Sequence, residues 1–139
     1  MSVLRMAAGI CYAVNVFILI VFGARYLNSK EFQPYHAAAI RRDWKSLDPA
    51  LQVLLLSFIR GIGATLLAVG IGTVALLIFP FREGATWATY ALPLPLLVTN
   101  IAAVWGTRSV ARATGVPVPE RPPLIALGLT VIGFVLSLF

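Results

Sequence analysis

The chain has 139 residues, of which 60% are hydrophobic and only 12% charged, and its formal net charge at pH 7 is +6. Soluble domains carry about 25% charged residues, so this balance belongs to the membrane class. It excludes nucleic-acid binding, which needs a soluble basic surface with reach into a groove, and leaves the positive charge to be read through topology.

Four apolar stretches follow one another: Val3–Gly23, Leu51–Phe79, Ala85–Trp105 and Pro123–Phe139. Each approaches or exceeds the ~20 residues that cross ~30 Å of hydrocarbon. The expected fold is an all-α integral membrane protein, a four-transmembrane-helix bundle in one domain. Its spans are 3–24, 49–79, 85–106 and 123–139, with connections at 25–48 and 107–122. A short amphipathic interfacial helix is expected between the first two spans.

The first span reads as a retained helix rather than a secretory signal. Only Arg5 precedes its apolar run, which is long for a signal, and the small-residue pattern near Phe22-Gly23-Ala24 is poor. Ala8, Cys11, Tyr12 and Asn15 recur at helical spacing and form a smaller, more polar face that should turn toward other helices. Cys11 is the only cysteine, so no intrachain disulfide is possible.

The 25–48 connection is basic. Pro34 suits the first turn of a helix over about 34–47, with Ala37, Ile40, Trp44 and Leu47 as an apolar stripe. Arg41, Arg42, Asp43 and Lys45 lie off that stripe, so this segment should rest in the interface with Arg41 and Arg42 toward anionic headgroups.

Asp48-Pro49 then reads as an N-cap followed by proline at the first helical position. From Pro49 to Phe79 is about 46 Å of helix, well beyond one bilayer core. Arg60 lies in this span, where an ionised arginine costs at least ~2.5 kcal/mol unless it is compensated. It would either bind an anionic substrate, lipid or partner, or snorkel to the headgroups, and the excess helix length favours snorkelling. Ala64, Ala68 and Gly72 form a small-residue ridge suited to close helix packing, with Gly63 and Gly70 as a second small edge.

The third span is bracketed by Trp87, Tyr90 and Trp105 and interrupted by Pro93 and Pro95, so a kink is expected near its middle. Thr99 and Asn100, like Asn15 in the first span, should make interhelical hydrogen bonds or line a solute pathway. The fourth span is short. Arg25, Lys30, Arg41, Arg42, Lys45, Arg108, Arg112 and Arg121 fall in the two long connections, against Arg5 and Arg82 on the other side. That bias places both connections in the cytoplasm and both termini outside, in an inner or plasma membrane.

Chemistry is sparse. His36 is the only histidine, and Asp43 would share its helical face, making them weak catalytic candidates. No metal-ligand, nucleophile or cofactor motif is present, and the Gly-x-Gly pairs of the second span lack the strand-turn-helix context of a phosphate loop. Size and layout look like small multidrug exporters, a resemblance that implies an acidic residue in the first helix. Asn15 is the polar candidate there. All five acids, Glu31, Asp43, Asp48, Glu83 and Glu120, fall in connections, which disfavours proton-coupled cation export.

The expected function is a non-catalytic packing subunit of a homo-oligomer or a larger membrane complex, joined through Ala64, Ala68 and Gly72. One alternative is a small-solute or anion transporter using Arg60, Asn15, Asn100 and the kinked third span. Another is a membrane enzyme acting on a lipid or quinone through His36 and Asp43.

Overall fold

The computed structural model describes residues 2–139, and every regular element in that range is helical. Helix α1 spans Val3–Leu27, α2 Pro34–Ile40, α3 Pro49–Leu76, α4 Thr86–Ala91, α5 Pro93–Thr114 and α6 Arg121–Ser137. Three segments are long and apolar enough to cross a membrane: Val3–Leu27, Pro49–Phe81 and Thr86–Thr114. Helix α6 is apolar but has 17 residues, about 25 Å at 1.5 Å per residue. The outer surface carries large apolar side chains throughout, among them Phe17, Phe58, Ile71, Trp105 and Ile132. A soluble monomer does not expose apolar area on that scale, so these helices mark a membrane protein.

Local chemistry fixes the helix starts. Ser2 accepts a hydrogen bond from the Arg5 amide at 3.2 Å, and the Asp48 carboxylate accepts one from the Ala50 amide at 2.8 Å. Each removes one orphan donor from a first turn, and Pro49 has no donor to lose. The far end of α3 widens into a π-turn over Leu77–Phe81 because Pro80 has no N–H and its ring clashes with the preceding turn. Gly84, at φ +86°, reverses the chain into α4.

Three expectations about boundaries need correction. The helix of the third span continues through Trp105 to Thr114, where Gly115 stops it in the left-handed conformation at φ +69°. Residues 107–114 are less apolar, yet none of them is a helix breaker, so the connection shrinks to 115–120. The proline break consequently lies at Leu92, near the start of this helical segment rather than its middle. The interfacial helix also ends early, at Ile40. Arg41 takes φ 55° and ψ 37°, and the amides of Arg41 and Arg42 bond back to the carbonyls of Ala38 and Ala37. This is a Schellman stop without glycine. The chain resumes as a short 3₁₀ turn, Trp44–Ser46.

Helix α1 is the spine of the bundle. It packs along α3 on one side and α6 on the other, α6 packs on α5, and α3 and α5 meet at only a few positions. The α1–α3 contact is close enough for backbone to touch backbone. A Cβ on Gly63 would stand 2.8 Å from the Gly23 carbonyl, and one on Gly70 would stand 3.0 Å from the Ile20 side chain. One apolar cluster, centred on Tyr12, Phe81, Leu92 and Leu96, closes the end where α3 turns into α4. A second, built on Phe32, Leu47 and Ile59, closes the opposite, basic end.

Candidate functional site

Asn15 and Asn100 meet in the interior. Asn15 is fully buried and Asn100 nearly so. The Asn15 amide donates to the Ala126 carbonyl at 2.8 Å and to the Thr130 hydroxyl. The Asn100 amide donates to Thr130 Oγ1 at 3.1 Å and to Asn15 Oδ1 at 3.4 Å, while Thr130 donates to the Ala126 carbonyl at 2.9 Å. The Thr130 hydroxyl thus accepts twice and donates once, which exhausts its capacity. Three helices are tied through one polar knot. Thr130, a hydroxyl in an otherwise apolar short helix, was the missing third member; its polarity within that span was the available signal. Thr99 bonds back to the Pro95 carbonyl in its own helix instead.

Arg60 is elsewhere. It is exposed, and its Nε donates to the Ser29 carbonyl at 3.1 Å, just past the end of α1. Ser29 lies about 21 Å of chain rise beyond Asn15, so Arg60 is not part of the polar knot. It behaves as a cap on the negative end of the neighbouring helix. Arg5 does the same at the other end of the antiparallel pair. Its Nε donates to the Phe81 carbonyl at 3.1 Å, and its guanidinium lies 4.5 Å from the centroid of the Phe81 ring.

Beside the knot, a cleft of about 740 Å³ lies between α3 and α5, with α1 as its floor and the start of α6 as one wall. Its walls are mainly apolar, with Leu19, Phe22, Phe58, Ile62 and Val98 prominent, and Asn100 lines it at depth. Toward the basic end it meets a cavity of about 490 Å³ under α2, and Tyr26, Tyr35, Phe58, Ile62 and Thr107 line both. The Tyr26 and Tyr35 hydroxyls hydrogen-bond at this junction, and burial, followed by that bond, pushes the Tyr35 pKa up. Neither tyrosine stood out in the sequence as a site residue, because their pairing joins α1 to α2 across a turn.

The apolar stripe expected to enter the headgroup region is largely used inside the protein. Ala37, Trp44 and Leu47 pack with Phe32, Ile59 and Leu55, and Ile40 remains exposed. Arg41 and Arg42 are exposed at the helix stop. His36 lies within α2, where its Nδ1 accepts from the Gln33 amide at 3.2 Å as half of a capping box. Burial lowers its pKa, and Nδ1 acts as an acceptor only in the neutral ring. The helix ends before Asp43, so the shared face expected for the His36–Asp43 pair does not form. Among the described residues no cluster of three or more His, Cys, Asp or Glu could hold a metal ion.

The two small edges of α3 have different positions. Gly63 and Gly70 are buried against α1, which removes them from any oligomer surface, whereas Ala64, Ala68 and Gly72 are exposed. No protein-family model matches the chain, and comparison with curated proteins and with solved structures gives no significant match.

Proposed function

We propose that this chain is a four-span protein of an inner or plasma membrane that serves as a non-catalytic subunit, docking through the outer face of α3 onto a second copy or another membrane protein. The observation that carries this reading is the composition of that face. From Ala64 through Ala68 and Gly72 to Ala75, exposed small residues follow α3 for about 17 Å. That length is about three helical turns, and small residues let two backbones approach closely where hydrophobic burial supplies no drive. The opposite face of α3 is already occupied by α1, so the outer ridge is free for a partner.

Cysteine placed at Ala68 in a Cys11→Ala background should form an intermolecular disulfide in native membranes. Native mass spectrometry should show a complex that Ala68→Leu dissociates while helical content is retained. A monomer under both measurements would overturn the reading.

A small-solute pathway is the second reading, favoured by a cleft that ends at Asn100. It would rest on Asn100 and not on Arg60, whose guanidinium is turned toward the Ser29 carbonyl.

A further inference from the structure

The α3–α5 cleft differs from the α3 ridge in polarity and closure, and these differences select its occupant. Along α5 it runs from Val98 to Thr107, and along α3 from Ser57 to Leu66, about 14 Å in each case. That is about half of a ~30 Å hydrocarbon core, one leaflet, and too short to seat a spanning helix. Its outer end is closed by the Tyr12–Phe81–Leu92–Leu96 cluster. Its volume of about 740 Å³ lies within the ~300–1,000 Å³ range of small-ligand sites.

The walls are mostly hydrocarbon, with Asn100 at depth and the Tyr26–Tyr35 hydroxyl pair at the shallow end. Beyond it the rim is cationic. Arg41 follows Ile40, which lines the adjoining cavity. Arg42 is exposed beside Arg41. Of the four acids on this side, Glu120 faces Arg108 at 3.7 Å, the Asp48 carboxylate caps α3, and Glu31 and Asp43 are exposed, against the eight basic residues of the two connections. The rim therefore retains net positive charge. We infer that the cleft holds one acyl chain of an anionic phospholipid from the basic-side leaflet, with the headgroup phosphate met by Arg41 and Arg42. A chain in that position fills the space left by the sparse α3–α5 contact and covers the hydroxyl pair. This inference does not depend on the assembly reading, because a monomer has the same cleft.

The test reconstitutes the full chain in bilayers of equimolar phosphatidylglycerol and phosphatidylcholine and then measures retained lipid by native mass spectrometry after gentle detergent extraction. Phosphatidylglycerol should be retained in preference to phosphatidylcholine. Ala103→Phe, which fills the cleft, should lose the retained lipid, whereas Ala68→Leu on the outer face of α3 should keep it even if assembly is lost. Replacing Arg41 and Arg42 together with Gln should leave a lipid bound but abolish the headgroup preference. Equal retention of the two lipids by the unmodified chain would overturn the inference, as would a filled variant that binds as before. Should Ala103→Phe fail to fold, a phosphatidylglycerol with a photoreactive group on its acyl chain answers on the unmodified protein. Labelling should fall on residues 98–107 and 57–66, and labelling confined to other surfaces would overturn the proposal.

Discussion

The Asn15–Asn100–Thr130 knot shows how three side chains hold a surface that hydrocarbon alone would leave without direction. In lipid, apolar faces gain little by meeting one another, so register between helices comes from close packing and from hydrogen bonds that have no better partner. Asn15 reaches two groups on α6 and accepts from α5, so it is the member whose loss leaves most behind. Asn15→Ala should cost about 1–2 kcal/mol, because Asn100 and Thr130 each lose a buried partner. A reversible detergent-denaturation titration measures this. Thr65→Ala is the control: that exposed hydroxyl bonds only to the Gly61 carbonyl of its own helix, at 3.0 Å, and its removal should be close to neutral. The double variant Asn15→Ala/Asn100→Ala should cost less than the sum of the singles, as expected of groups in one network. Both asparagines were legible in the sequence as polar residues inside apolar spans. The partners of the arginines were not. Arg60 and Arg5 reach backbone carbonyls at helix ends, and a carbonyl carries no residue signature.

At the scale of elements, sequence chemistry marked helix starts better than helix stops. Asp48-Pro49 announces its helix by side-chain capping, which is local. The end of α5 misled because hydropathy falls at Trp105 while helix propensity does not, and the stop at Arg41 has no glycine to announce it. The fate of the 34–47 stripe depended on Phe32 and Ile59, partners set by tertiary folding. The glycines of α3 illustrate the same division: helical spacing separates two small edges in the sequence, and only packing shows that the Gly63–Gly70 edge is the one buried against α1. A methyl on Gly63 meets the backbone of Leu27 and Gly23, which cannot move aside as a flexible side chain would. Gly63→Ala should therefore destabilise by about 1–3 kcal/mol. Gly128→Ala, where an added Cβ meets nothing within 4 Å, should be neutral or stabilise by up to about 1 kcal/mol. Paired unfolding curves decide this. Helix α2 gives a pH prediction. Burial holds the His36 pKa below its unfolded value of ~6.5, so the unfolded chain takes up a proton first. The contribution of the neutral ring is complete above that pH and is lost as pH falls from there through the lower folded value. Amide exchange across α2 should accelerate on acidification, and His36→Gln, which keeps an acceptor for the Gln33 amide, should flatten the response.

At the scale of the whole molecule, two competing costs decide the path of α6. Its 17 residues rise about 25 Å, short of a ~30 Å core, yet it packs against α1 and α5 and contributes two of the atoms in the polar knot. A short span is accommodated by local thinning of the bilayer at a fraction of a kcal/mol per Å. Withdrawing α6 would instead strip Asn15 and Asn100 of the Ala126 carbonyl and the Thr130 hydroxyl. The second cost is the larger, so α6 should cross. The basic residues then predict direction: with the 28–48 and 115–120 connections inside, Gly84 and the end of α6 should lie outside together. Single cysteines in a Cys11→Ala background test each point with a membrane-impermeant maleimide applied to intact cells. Gly84→Cys and Leu138→Cys should label at once, and Gly115→Cys only after permeabilisation. If Leu138→Cys instead behaves like Gly115→Cys, α6 turns back within the bilayer, and the knot must then hold a re-entrant helix at the same depth.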